Sequence, residues 1–399
     1  MLYWHRLIAV IGALLITWIA VTGAGIELAD MRALIAHAPE TDPDMLMMRQ
    51  HIDGPPNYGV VSAPDYSASA LPARMDIANG LERAAAIGRA AAPGADLRLV
   101  ELRMLGDRPA AHVQMGKTQM MFDLANGKRL PDTALPPPAP TNLPATRAAF
   151  KFFHKFTFFG RWATVFNALA SIGICGLIFT GIWHYARLYS ARLKLDRRAP
   201  FWRAGNAWRN LHRWTAVVCG VIILWIAVTG LALSIDNFGA FISIATTPKT
   251  HGVDPFTGDL SKPLSDAELS GMARTTLSAF DRAEPGAGIK VIRLRYFVGY
   301  PQGVIIAGDS HTSQFVFNAA SGRRMSMYEP GYPNLNFPSG WEWHQRLKRL
   351  HRGDFFGMPG RWLDTIGALA LVYLCVSGIV MYSQLWLARR RDGRKALVW

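Results

Sequence analysis

The chain has 399 residues, half of them apolar, and an excess of Lys and Arg over Asp and Glu that gives a formal charge of +15. The apolar residues cluster in a few long runs, which points to a membrane protein rather than two soluble domains. The positive excess sits beside those runs, so it is not the footprint of a nucleic-acid partner.

Four windows are long enough to cross a hydrocarbon core at about 1.5 Å per residue: 6–27, 161–186, 213–235 and 362–386. The first is expected to be an uncleaved span, because its apolar run exceeds a signal-peptide core and a near copy of it recurs mid-chain. After it, residues 76–92 read as a helix ending at Pro93-Gly94. Short strands follow over 97–104, 110–115 and 119–124, closing on Asn126-Gly127. A proline-rich stretch, 131–144, then acts as a semi-rigid spacer before the second span.

The pattern repeats after the third span. A helix over 265–283 ends at Pro285-Gly286, and strands follow near 289–296, 303–307 and 314–317, with Ser321-Gly322 as the exit turn. Arg187, Arg192, Lys194, Arg197, Arg198, Arg203 and Arg209 lie between spans two and three; Arg389, Arg390, Arg391, Arg394 and Lys395 follow span four. The positive-inside rule puts both groups, and hence both termini, in the cytoplasm.

The expected partition is helix 1 at 1–27, an exported α+β module with its linker at 28–150, helix 2 at 151–187 and a basic cytoplasmic loop at 188–211. Helix 3 follows at 212–236, a second exported module at 237–350, helix 4 at 351–387 and a basic tail at 388–399. The predicted fold class is a membrane α-helical bundle of four transmembrane helices with two α+β modules, built by internal duplication.

The duplication is legible residue by residue. Tyr3-Trp4-His5-Arg6 and Trp18 to Gly23 match Leu211-His212-Arg213-Trp214 and Trp225 to Gly230 at an offset of 207. Phe153-His154-Lys155, Phe158-Phe159-Gly160, Gly181 and Tyr185 match Leu350-His351-Arg352, Phe355-Phe356-Gly357, Gly378 and Tyr382 at an offset of 197. Cys175, Cys219 and Cys375 fall inside spans without CxxC spacing and read as packing residues, neither a zinc site nor disulfides.

Four histidines therefore stand at the heads of four spans. Imidazoles in or near lipid need partners and mark functional sites. Topology places His5 and His212 at the inner face and His154 and His351 at the outer face. Each pair suits axial ligation of one b-type haem, giving two haems stacked across the bilayer. The cations that follow, Arg6, Arg213, Lys155 and Arg352, would meet haem propionates, although interfacial anchoring explains them too. Thr22-Gly23, Thr180-Gly181, Thr229-Gly230 and Ser377-Gly378 allow close helix packing and space for a flat macrocycle. His344, seven residues before His351, is the first substitute ligand, and His184, matched by Met381, a weaker one. His37, His51, His112, His251 and His311 read as ordinary surface or strand residues.

On these residues the chain resembles the PepSY-associated transmembrane family. The resemblance is carried by Leu211-His212-Arg213 with Val228-Thr229-Gly230, by the stretch from Leu350-His351-Arg352-Gly353-Asp354 to Gly360-Arg361, and by the module ends Phe122 to Gly127 and Phe317 to Gly322. Phe153-His154-Lys155 and Phe317-Asn318 depart from the family's usual pattern. The resemblance implies a bacterial inner-membrane, multi-pass protein with two b haems and two periplasmic PepSY-like modules. It also implies an oxidoreductase that reduces ferric siderophores in iron acquisition. No dinucleotide fingerprint follows a strand, so the electron donor would be a quinol or a cytosolic reductase. The alternatives are a non-enzymatic membrane regulator of a periplasmic peptidase, and a metal or small-solute transporter.

Overall fold

The computed structural model describes residues 2–36, 38, 42–44, 47–48, 68–135, 145–246, 262–297, 299–308, 312–325, 339–394 and 396–398. His37, His51, His251, His311, Lys395 and most of the proline-rich linker lie outside the described residues. Among the described residues, four helices are long and apolar enough to cross a membrane: α1 (Leu2–Ile35), α4 (Ala163–Leu193), α5 (Ala207–Thr246) and α8 (Gly357–Arg391). In the numbering used below, α2 is Ile77–Ala91, α3 is Thr146–His154, α6 is Asp266–Ala283 and α7 is Trp341–His351.

The spanning helices form a ring in which α1 and α5 each pack against both α4 and α8. Their inward surface is built from Ile16, Ala20, Ile174, Ile223, Ala227, Ala370 and Leu371, with Cys219 buried among them and Cys175 and Cys375 packed alongside. Leu14 and Val221 remain 84% and 77% exposed, so the outer surface is as apolar as the inner one. That is the surface a bilayer requires and water would oppose.

The sequence placed His154 and His351 at the heads of spans two and four. The structure corrects this. Each is the last residue of a separate short helix, α3 or α7, joined to its span through a turn at Thr157–Trp162 or Asp354–Phe356. Gly160 (φ 54°) and Gly357 (φ 63°) adopt the left-handed backbone that separates the short helix from the long one. In the second copy, Gly353 and Gly360 approach so closely that a Cβ on either would collide with the other's backbone.

Strands β1 (Leu97–Leu105), β2 (Arg108–Met115), β3 (Thr118–Asp123), β4 (Ile289–Phe297), β5 (Tyr300–Ala307) and β6 (Ser313–Asn318) form a single sheet in the order β3-β2-β1-β4-β5-β6. The two α+β units are thus not independent, because β1 and β4 pair antiparallel, with Glu101 opposite Arg293. Helices α2 and α6 cover one face over Leu81, Leu102, Phe122, Leu269, Leu294 and Phe317. Asp76 caps α2, and Ser265 with Glu268 forms a capping box on α6. Glu101, Arg103, Arg293 and His112 meet on the other face. His112, which reads as an ordinary position in the sequence, is buried there.

Candidate functional site

Every one of the four histidines is gripped through Nδ1 by a hydroxyl on a neighbouring helix. His5 meets Thr180 at 2.9 Å and His212 meets Ser377 at 2.7 Å, while His154 meets Thr22 and His351 meets Thr229, each at 3.2 Å. The hydroxyls donate their own protons to carbonyls of their helices, to Gly176, Leu374, Trp18 and Trp225 respectively. Each therefore accepts from the ring. His351 Nδ1 also reaches the Ile226 carbonyl at 3.1 Å, and His5 and His154 make the matching backbone bonds to Leu177 and Ile19. A carbonyl can only accept, so in these three Nδ1 carries the proton and Nε2 is left with its lone pair. This is the tautomer that binds a metal through Nε2.

Glycine supplies the space. A Cβ on Gly23 or Gly230 would come within 3.1 Å of Cε1 of His154 or His351. The Thr-Gly and Ser-Gly pairs are therefore histidine seats, a more specific role than helix packing. Trp18 and Trp225, four residues before the upper-level threonines, donate to the carbonyls of Phe153 and Leu350, the residues just before His154 and His351.

The seats define two levels. His5 and His212, on the diagonally placed α1 and α5, lie at the end of the bundle that carries the start of α1, close enough for their charges to interact. His154 and His351 lie at the opposite end with ring centroids 6.5 Å apart. Seventeen residues of α1 separate His5 from Thr22, about 25 Å along the axis. Two imidazoles sharing one metal at about 2 Å per bond would have centroids roughly 6 Å apart, close to the upper-level value. Both upper rings keep some accessible surface.

A buried charge network adjoins the upper level, and sequence reading missed most of it. Asp30, with no accessible surface, meets Arg147 at 2.6 Å, Arg361 at 2.7 Å and Arg352 at 3.2 Å. Arg361 also pairs with Glu27 at 3.1 Å, and Arg352 with Asp354 at 3.3 Å. Apart from Arg352 with Asp354, the partners are more than a hundred positions apart in sequence, so no local spacing announces them. The one available signal was that Arg352, Asp354 and Arg361 lie inside the stretch that carries the family resemblance.

The four cations expected to meet propionates have different surroundings. Arg352 serves this network. Arg213 lies 4.2 Å over the Trp202 ring and donates to the Trp202 carbonyl and to Asn210. Arg6 lies beside His5 and His184, and Lys155 is exposed next to His154. His344 pairs through Nδ1 with buried Asp236 at 2.8 Å. His184 lies one turn beyond Thr180, at the His5 end. Among the described residues no three or more of His, Cys, Asp and Glu converge as a chelating cluster.

Fold and site together define a four-span membrane protein with histidines paired at two levels. Residues 187–384, just under half of the chain, match the family model of the PepSY-associated TM region, which supports the family resemblance. The matched stretch includes His212 and His351; His5 and His154 precede it. No curated protein matches the chain.

Proposed function

We propose that this is a transmembrane di-haem b electron-transfer protein, with His5 and His212 as one axial pair and His154 and His351 as the other. In this reading it takes electrons from a quinol or cytosolic reductase and reduces a ferric chelate, such as a ferric siderophore, at the His154–His351 end. The observation that carries it is the uniform seating of the imidazoles, each with Nδ1 committed to a hydroxyl and Nε2 left for a metal. Bound haem would supply a one-electron carrier at each level. The chain's residues hold the rings, fix their tautomers and keep lipid and water away from the seats. Iron release follows because hard oxygen donors hold ferrous iron much less firmly than ferric.

The remaining parts of the reading follow from the same topology. The basic loop and the Arg389–Arg391 tail support cytoplasmic termini and placement in a bacterial inner membrane. The α+β units are then periplasmic PepSY-like modules, and matched positions such as Trp18 with Trp225 support origin by duplication. Arg6, Arg213, Lys155 and Arg352 are the cations proposed to meet propionates.

Buried Glu27, Asp30 and Asp364 favour a second reading, an ion or solute transporter. Arginine partners account for Glu27 and Asp30 as structural pairs. A b-type absorption spectrum with two haems per chain, lost at one level in His351→Ala and at the other in His212→Ala, is the expected result. Colourless protein from haem-replete cells would reject the proposal and leave the transporter.

A further inference from the structure

His351 is the last residue of α7, which joins its span only through the turn at Asp354–Phe356 and Gly357. One contact at the end of a short helix fixes a point but leaves the axis free to pivot. The His154 and His351 rings lie with centroids 6.5 Å apart and planes 31° from parallel. That relation therefore depends on what holds the other end of α7.

The hold is a second polar rung. His344 Nδ1 meets the Asp236 carboxylate at 2.8 Å, and both side chains are buried. His344 precedes His351 by seven residues, and Asp236 follows Thr229 by seven. Seven residues are two helical turns, about 10 Å, and return to nearly the same face. Helix α7 thus runs antiparallel along α5 on two rungs in register, Thr229 with His351 and Asp236 with His344.

Helix α3 lies along α1 in the same way. Arg147, seven residues before His154, meets Asp30, eight residues after Thr22, at 2.6 Å. Arg147 and His344 stand at the offset of 197 that relates the two imidazoles themselves. Different donors thus make the same far contact in both halves. This recurrence ties the contact to the ring two turns away, beyond the mutual satisfaction of two buried polar groups.

We infer that His344 and Asp236 are positioning residues for His351: their pair fixes the axis of α7, and with it the orientation of the His351 ring relative to His154. The inference rests on the proposed di-haem reading and adds the residues that aim one ligand. It involves no bond made or broken.

The test uses the full chain, purified with haem. His344→Leu removes the donor, whereas His344→Asn keeps an N–H where Nδ1 stood. Electron paramagnetic resonance of the oxidised protein reads the angle between axial rings. His344→Leu and Asp236→Leu are each expected to shift the upper-level signal and to speed haem release from that level about tenfold, with the lower level unchanged. His344→Asn should restore most of the parent behaviour, and the double leucine variant should lose no more than either single one. Amide exchange, which needs no haem, should quicken in α7 of His344→Leu and stay unchanged in α3.

An upper-level signal and haem release unchanged in His344→Leu would overturn the inference even if α7 exchanged faster, because the pair would then stabilise the helix without aiming the ring. Equal losses at both levels, or an asparagine variant as impaired as the leucine one, would also overturn it. A colourless parent protein would overturn the haem reading instead, and the tether would then stand or fall on exchange in α7 alone.

Discussion

The Trp18 indole donates a 3.0 Å hydrogen bond to the carbonyl of Phe153, tying the residue ahead of His154 to the helix whose Thr22 seats that imidazole. Trp225 does the same for Leu350 and His351 at 2.9 Å. Trp18→Phe keeps an aromatic ring against Phe156 but removes the donor. A net loss of about 1 kcal/mol should weaken haem retention at the upper level roughly fivefold and leave the lower level unchanged. Haem content per chain, with electron paramagnetic resonance to resolve the two sites, measures this; equal loss at both levels would refute the clamp.

The hydroxyl seats should tune each level separately. Thr180→Val or Ser377→Ala should lower haem affinity at the His5–His212 level by about 10- to 100-fold, and Thr22→Val or Thr229→Val should do so at the His154–His351 level. Rates of haem transfer to an apo-globin acceptor report the effect. If valine variants hold haem as tightly as the parent, the hydroxyls do not orient the rings.

Asp30 bonds three arginines with no solvent to replace it. Asp30→Asn should therefore cost about 3–5 kcal/mol, the loss expected when one partner of a buried pair is removed. Asp96→Asn, which breaks a pair with Arg98 whose aspartate is 54% exposed, should cost under about 1 kcal/mol. Unfolding of the full chain in detergent distinguishes them, and comparable losses would count against a structural role for the network.

Acid should loosen the sheet at its centre. Burial by itself would raise Glu101, but Arg103, then Arg293 and His112 outweigh it and hold the carboxyl well below the ordinary glutamate value of 4.5. Because the folded value is the lower one, the stabilisation is complete above about pH 4.5 and is lost as pH falls through the folded value. Amide exchange in β1 and β4 is expected to hold steady from pH 7 to about pH 5, once corrected for intrinsic rates, and to lose protection below about pH 4. Glu101→Gln should lose much of that protection already at pH 7. A flat acid profile would show that the pair contributes nothing.

Spans and short strands were legible in the sequence because each depends on local pattern. A continuous apolar run such as Ala9 to Leu15 has no comfortable place but lipid, and the alternation through Leu97 to Leu105 suits one half-covered strand. Turn chemistry was equally local: Gly127 and Gly322 adopt the positive φ that Asn-Gly and Ser-Gly announced. The pairing of His154 with His351 could be drawn from topology, since both had to lie at the same face.

Other features needed the folded chain. The helix break at Gly160 and Gly357 looks in sequence like the start of a span, because glycine tolerates several backbone states and only packing selects one. The merging of two units into one sheet depends on whether the β1 edge finds β4, and an unpaired edge carries no residue code for its partner. Asp30 reads as a helix-end acid until Arg147, Arg352 and Arg361 converge on it. Sequence by itself determined which segments enter lipid and which side chains bear chemistry, because transfer free energy and donor type belong to the residue. Tertiary structure alone decided which ring nitrogen is tied, because a hydrogen bond selects a tautomer only when its partner arrives from another helix.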